Sequence, residues 1–208
     1  MTGFAQRLRR LARDERGATV VEFAIVAPVM GLLLLGAFDV AHTLYMRAAL
    51  EGVVQKAARD ATLESGLVSA TQTALDNKVK NQIKTLANNG TVTITRQWYR
   101  NYEQAAASRF EPWTDTNNNG LCDGPHGLTP GEPYEDSNGN GVWDASGGNL
   151  SQGGAKDAVL YTATVSYPRF FPLNNFIGGS NRTTVSAQTI LRNQPYGDQG
   201  APEVRSCA

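Results

Sequence analysis

The chain has 208 residues, 41% of them hydrophobic, and equal numbers of basic and acidic side chains, 19 of each. Five arginines and only two acids lie in residues 1–17, which leaves 14 basic and 17 acidic residues beyond them. A protein that grips phosphates needs a basic face, so this balance argues against nucleic acid as a partner. The length allows one membrane anchor and one domain of ordinary size.

The first predicted element is a basic leader followed by an apolar helix. Residues 23–38 carry no charge, and residues 18–40 are about as long as the ~20 residues that cross a bilayer. The arginines favour a cytoplasmic leader, so the chain after residue 40 should lie outside the cytoplasm. Glu22 is the unusual feature, because a carboxylate in an apolar span is costly and is by default functional.

The sequence around Glu22 resembles a known processing signal. Residues 16–36 include RGATVVEFAIVAP and then LLLLG. They resemble prepilins of the Tad (Flp) branch of the type IV pilins, and most closely the TadE-like minor pseudopilins. The resemblance implies that a prepilin peptidase cuts after Gly17, so that Ala18 becomes the first residue and Glu22 the fifth. Phe23 stands where major Tad pilins usually carry tyrosine.

Two roles for Glu22 remain open. Because Glu22 lies near the cytoplasmic edge of the span, less than two helical turns inside, we expect its carboxylate to pair with the new amino group of Ala18, in the same chain or in a neighbouring pilin. The alternative is a plain signal anchor in which Glu22 reaches the membrane interface.

Helical periodicity continues beyond the membrane. An apolar stripe at three- and four-residue intervals predicts one helix to about residue 64, and it comprises Met46, Leu50, Val53 or Val54, Ala57 and Ala61. Ser65-Gly66 should end this helix, since glycine readily takes the left-handed backbone that closes one. A second amphipathic helix is predicted over residues 69–87, with Leu75, Val79, Ile83 and Leu86 on one side.

Three segments alternate between apolar and polar residues, namely 91–100, 158–167 and 182–191. Strict alternation is typical of an antiparallel sheet with one buried face. The predicted fold is α+β and pilin-like: a long N-terminal transmembrane and stalk helix, with a second helix packed on a small sheet of about three strands. Residues 1–17 are the cleaved leader, 18–40 the transmembrane part, and 41–208 the extracytoplasmic domain, with an insert at about 101–157.

The insert contains two segments with the spacing of calcium loops. Residues 115–123 read DTNNNGLCD, and 136–144 read DSNGNGVWD. EF-hand-type loops use side-chain oxygens at positions 1, 3, 5 and 9, a backbone carbonyl at position 7, and glycine at 6. The predicted ligands of two Ca²⁺ sites are Asp115, Asn117, Asn119, Leu121 and Asp123, and Asp136, Asn138, Asn140, Val142 and Asp144.

The twelfth position of these loops, normally glutamate, is His126 in one and Gly147 in the other. Glu132 or Glu135 could substitute in the first loop and Asp157 in the second. The alternative is that both segments are Asn-rich polar turns without a metal.

Cys122 and Cys207 are the only cysteines. Outside the cytoplasm such a pair favours a disulfide, which would tie the C-terminal tail to the first loop. A zinc site is not expected, because the chain has only two histidines.

The sequence contains no nucleophile elbow, phosphate loop or catalytic His/acid cluster, so no enzyme is expected. The resemblance implies a minor pilin or pseudopilin in assembly or tip formation of a Tad pilus. Its partners would be a prepilin peptidase, other major and minor pilins, the inner-membrane assembly platform and the lipid bilayer. It would lie in the inner membrane with a periplasmic domain, or enter the pilus. The alternative is a membrane-anchored, calcium-dependent adhesin whose insert binds a surface ligand.

Overall fold

The structure is a computed structural model. It describes residues 16–63, 69–171, 174–194 and 197–208, except for the side chains of residues 16, 18, 176 and 177. The predicted leader up to residue 15 and the predicted helix end at Ser65-Gly66 lie outside these residues. The chain divides into two compact units. One holds Met1–Leu44 and Arg169–Asn181, and the other holds Tyr45–Pro168 and Arg182–Ala208.

Helix α1, Arg16–Ala61, is the predicted long helix and includes Pro28. Its most apolar 18-residue window has a mean hydropathy of 2.3, and none of that window is buried. Length and composition therefore allow α1 to cross a membrane, and α1 is the only helix among the described residues that meets this test. In the first unit, the short helix α4, Asn174–Ile177, follows the loop that begins at Arg169.

The second unit contains the remaining elements in this order: helix α2, Ser69–Leu86; strand β1, Thr91–Tyr99; helix α3, Tyr102–Ala107; and strands β2, Pro133–Asp136, β3, Ala158–Pro168, β4, Arg182–Arg192, and β5, Glu203–Ser206. Strands β1, β3 and β4 form an antiparallel sheet in the order β1-β3-β4. The two predicted helices and the three-stranded sheet are thereby confirmed.

The core of this unit lies between the end of α1, helix α2 and one face of the sheet. Alternate residues of β3 face it, and Ala163 pairs in register with Ile94 of β1 and Ala187 of β4. The buried set comprises Met46, Leu50, Val54, Ala57, Ala58, Val79, Ile83, Tyr161, Ala163, Val165, Tyr167, Val185 and Ala187.

Two helix details differ from the prediction. Helix α1 ends at Ala61, where the Thr62 hydroxyl donates to the carbonyl of Arg59 at 2.9 Å. The side chain of Gln152 donates to the carbonyl of Ala61 at 3.1 Å, so tertiary contacts satisfy the end of the helix. In α2, Leu86 is 38% exposed and the following Ala87 packs on the core instead.

A second, two-stranded sheet pairs β2 with β5 antiparallel, and Tyr134 lies opposite Arg205. Neither strand was predicted, because four-residue strands of mainly charged and polar side chains carry no alternation signal. This sheet holds the C-terminal tail against the insert and so positions the polar loops.

Candidate functional site

The predicted processing residues lie at the exposed start of α1. Gly17, Glu22 and Phe23 are all exposed, and Phe23 is 71% exposed. A side chain added at Gly17 would meet nothing within 4 Å. The segment is therefore open to a processing enzyme or to a neighbouring helix, while cleavage itself stays a prediction.

The two predicted calcium segments form the second candidate site; we call residues 115–123 loop 1 and residues 136–144 loop 2. In loop 1 the carboxylate of Asp115 accepts hydrogen bonds from the amides of Asn119 at 3.2 Å and Gly120 at 2.8 Å. In loop 2 Asp136 accepts the two corresponding bonds at 3.1 and 2.9 Å. The carboxylate of the first aspartate in each loop therefore stabilises the turn by accepting the amides of the residues four and five positions later.

The amide side chains repeat in the same way. In loop 1 the Nδ2 atoms of Asn117 and Asn119 donate to one oxygen of Asp123, at 2.6 and 2.7 Å. The equivalent bonds to Asp144 in loop 2 measure 2.7 and 2.6 Å. The polar groups of positions 3, 5 and 9 therefore converge inside both loops.

Backbone conformation explains why the fourth and sixth positions of both loops are Asn or Gly. At the sixth position, Gly120 has φ 78° and Gly141 has φ 81°. At the fourth position, Asn118 has φ 58° and Gly139 has φ 73°. Glycine and, less readily, asparagine tolerate this left-handed region, so two left-handed residues per loop produce the tight turn.

Glu132 closes loop 1. One of its carboxylate oxygens accepts the backbone amide and the hydroxyl of Thr116, both at 2.7 Å, and the other accepts the amide of Asp123 at 3.1 Å. The hydroxyl of Thr116, and then its amide, lower the pKa of Glu132, because both stabilise the ionised form. Glu132 was one of the two alternatives proposed from the sequence for this loop.

Loop 2 is closed by Glu111, which the sequence analysis missed. Its carboxylate accepts the amides of Ser137 at 2.7 Å, Asn138 at 3.3 Å and Asp144 at 3.1 Å. Asp157, the alternative expected for loop 2, instead accepts the amide of Gly154 at 2.6 Å and a hydrogen bond from a glutamine side chain. In the structure Glu111, and not Asp157, accepts the backbone amides of loop 2, while the ligands of a metal in this loop stay a prediction.

The two closing glutamates belong to a longer repeat. Residues 111–123 read EPWTDTNNNGLCD, and residues 132–144 read EPYEDSNGNGVWD. Each glutamate precedes the first aspartate of its own loop by four residues but contacts the other loop. The extension of the similarity to Glu-Pro plus an aromatic residue was the sequence signal that could have identified Glu111.

Pairing between the two repeats explains why the glutamate of each repeat contacts the loop of the other. Trp113 and Tyr134 form an antiparallel bridge. The amide of Thr114 donates to the carbonyl of Pro133 at 2.9 Å, and the amide of Glu135 donates to that of Pro112 at 2.8 Å. Because the two repeats run antiparallel, each glutamate lies beside the loop of the other repeat. The two loops are therefore linked to each other.

The charges of the two loops differ. Glu111 is fully buried, and desolvation raises its pKa despite its three backbone donors. Arg205 of β5 forms an ion pair with Asp136, with Nε and Oδ2 2.7 Å apart. Among the ion pairs of the described residues, none involves the carboxylates of loop 1. Loop 1 therefore has the less compensated negative charge.

The tail is attached to loop 1. Cys122 forms a disulfide with Cys207, with their Cα atoms 5.7 Å apart. The amide of Cys207 donates to the carbonyl of Glu132 at 2.8 Å. A Cβ built on Gly131 would lie 2.3 Å from the carbonyl oxygen of Cys207, so only glycine allows this approach.

An aromatic cluster connects the two loops. The ring centroid of Trp113 lies 4.7 Å from that of Phe110 and 5.3 Å from that of Trp143. The indole of Trp113 donates to the carbonyl of Leu121 at 3.1 Å, and the indole of Trp143 donates to that of Glu111 at 3.0 Å. Phe110 is 47% exposed, so part of the cluster faces solvent.

The donor set consists of carboxylate, amide and carbonyl oxygens, which is the chemistry that Ca²⁺ prefers. Within the described part of the chain, however, no three His, Cys, Asp or Glu side chains are arranged so that they could hold a metal ion. The geometry consists of two hydrogen-bonded polar turns, and calcium binding stays a prediction.

Comparison with known families bears on helix α1. The family described as TadE-like protein matches residues 17–59. Residues 17–59 are a TadE-like domain. The family implies a pilin-like protein associated with the Tad pilus, and its members are generally structural and not enzymes. An apolar N-terminal helix and a disulfide are together typical of a membrane-anchored protein with an extracytoplasmic domain. No curated protein and no solved structure matches the chain. The paired loops lie outside the matched residues.

Proposed function

We propose that this protein is a minor pilin or pseudopilin, cut after Gly17, that takes part in assembly or tip formation of a Tad pilus. The observation that carries the proposal is the TadE-like domain on a helix whose apolar window contains no buried residue. Such a surface requires a cover. Lipid would provide it before assembly and the helices of neighbouring pilins afterwards, while the prepilin peptidase and the assembly platform act at the membrane.

Processing is tested by co-expression of the chain with a Tad prepilin peptidase and measurement of the intact mass. The wild type should begin at Ala18, and Gly17→Val should remain full length. Gly31→Val is the matched control, because Gly31 lies in the same helix and a side chain there also meets nothing within 4 Å. A full-length wild type beside active peptidase, or a cut elsewhere, would overturn the assignment.

Glu22 has a role separate from cleavage in this proposal. Glu22→Ala should be cut normally but should disappear from sheared pili, because only a carboxylate can pair with the new amino group. Normal incorporation of this variant would remove that role while leaving the processing step intact.

The second part of the proposal is that Ca²⁺ stabilises the paired loops. The support is that both loops share one hydrogen-bonded geometry, with oxygen side chains at positions 1, 3, 5 and 9, and that Glu111 is buried and takes part in none of the ion pairs of the described residues. Buried carboxylates are costly without a compensating charge. Bound calcium would supply that charge. The side-chain oxygens at positions 1, 3, 5 and 9 and the carbonyl at position 7 would hold it, together with Glu132 in loop 1 and Glu111 in loop 2. Magnesium, which demands a smaller octahedral shell, should fit less well.

Thermal unfolding of the full-length chain in detergent tests this part. The melting temperature should be higher in millimolar Ca²⁺ than in chelator, since a ligand that binds only the folded state stabilises it. Asp115→Ala combined with Asp136→Ala should abolish the difference. Identical melting of the wild type in both conditions would show that the segments are polar turns without a metal.

Because the glutamate of each repeat contacts the loop of the other, single substitutions can test the two sites separately. In calcium titrations, Glu111→Gln should weaken the site in loop 2, and Glu132→Gln should weaken the site in loop 1. Glu135→Gln is the matched control, because Glu135 is exposed and its side chain makes no contact with either loop among the described hydrogen bonds. Equal effects of all three variants would contradict the assignment of the closing ligands.

A calcium-dependent adhesin is the second candidate, and the aromatic cluster favours it. The partly exposed ring of Phe110 beside two tryptophans provides a surface on which a ligand could pack. Phe110→Ala should reduce attachment of cells to a surface without changing the amount of pili, and unchanged attachment would exclude this role for the cluster.

A further inference from the structure

The inference concerns the loop that follows β3 in the first unit. Arg169 forms an ion pair with Asp39 of helix α1 through one guanidinium nitrogen. Its Nε donates to the carbonyl of Ser180 at 3.0 Å, and its own amide donates to that of Asn181 at 2.9 Å. The backbone and the side chain of Arg169 thus attach this loop to one position on the helix.

That position is close to the end of the apolar span. Asp39 follows Glu22 by 17 residues, which is about 26 Å of helix at ~1.5 Å per residue. The hydrocarbon layer of a bilayer is ~30 Å thick. With Glu22 at the cytoplasmic edge, Asp39 lies just inside the outer edge of the hydrocarbon. A carboxylate at this depth needs a partner, and Arg169 provides it while Asp39 is only 7% exposed.

The residues next to Arg169 are aromatic and contact the same turn of the helix. The centroid of Phe171 lies 6.4 Å from that of Phe38, and the centroid of Phe170 lies 5.7 Å from that of His42. Phe170 nevertheless remains 70% exposed, and Phe38 and Val40 are each 60% exposed. The exposed apolar surface of the span therefore continues directly onto the loop.

We propose that Arg169, Phe170 and Phe171 lie in the outer interfacial layer of the lipid bilayer, where they form a second membrane contact beside the transmembrane helix. Phenylalanine rings suit the boundary between headgroups and acyl chains, where apolar side chains enter by ~5–10 Å. An arginine can keep its charge near the headgroups while its stem remains among apolar groups. This inference rests on the proposed membrane span of α1.

The test is site-directed spin labelling of the full-length chain in vesicles of phosphatidylethanolamine and phosphatidylglycerol. A nitroxide is attached to Phe170→Cys, and its collisions with oxygen and with a water-soluble nickel chelate are compared. The native cysteines are paired and do not take the label. Val204→Cys is matched for exposure, since Val204 is also 70% exposed, and Leu33→Cys reports on the span.

The ratio of oxygen to nickel accessibility at position 170 should be several-fold higher than at 204 and should approach that at 33. A ratio at 170 equal to that at 204 would overturn the proposal, as would a label shielded from both reagents, which would indicate a protein neighbour. If position 33 is also accessible to nickel, the span itself is wrong and the proposed function fails with it.

Discussion

The disulfide between Cys122 and Cys207 offers a quantitative test of how the tail is held. The two cysteines are 85 residues apart, so the bond closes a loop that contains strands β2, β3, β4 and β5. In the chain-entropy description, closing a loop of this length lowers the conformational entropy of the unfolded chain and so raises its free energy by about 4.5 kcal/mol at 25 °C. Cys122→Ser combined with Cys207→Ser should therefore lower the free energy of unfolding by up to about 4.5 kcal/mol.

Few other contacts hold the tail. Strand β5 pairs with β2 over four residues, and all four residues of β5 are exposed. Among its described side chains, Arg205 is the one that pairs with a buried group, Asp136. Without the disulfide, the tail should detach at a small fraction of the cost of global unfolding.

Urea unfolding of the full-length chain in detergent provides the assay, with tryptophan fluorescence as the signal. Wild type under reducing conditions should match the double serine variant, and both should unfold at lower urea than oxidised wild type. Limited trypsin treatment gives a second signal, because cleavage after Arg205 requires a detached tail. A loss below about 1 kcal/mol, together with an uncut tail, would contradict the chain-entropy reasoning.

Two further substitutions, each with a matched control, test the packing. Gly131→Ala should prevent closure of the disulfide, because the added methyl group would overlap the backbone oxygen of Cys207. Titration of free thiols checks this prediction. Gly200→Ala should leave the bond intact, because a side chain there meets nothing within 4 Å. Ile83→Ala should cost about 3 kcal/mol of stability in urea unfolding, since it leaves a cavity in the core. Leu86→Ala on the same helix should cost less than about 1 kcal/mol, because Leu86 is exposed; equal losses would contradict the observed orientation of α2.

The sequence alone was sufficient wherever the signal lies in consecutive residues. The apolar run, the glycine and Glu22 identified the TadE-like segment because they are contiguous. The two long helices and the three strands of the main sheet were predictable because each buries one face, and burial of one face imposes a period on the sequence. The end of α1 was less predictable, because side chains distant in sequence satisfy its last carbonyls.

Contacts between residues distant in sequence were decided only by the tertiary structure. The repeats at 111–123 and 132–144 can be read from the chain, but which glutamate closes which loop depends on their antiparallel pairing. Strands β2 and β5 have no periodic signal, and their pairing lies beside the close approach of the tail to Gly131. Asp39 and Arg169 are separated by 130 residues, and neither residue by itself indicates the other. Local patterns follow from how one segment meets solvent or lipid, whereas these pairs depend on where the folded chain brings two segments together.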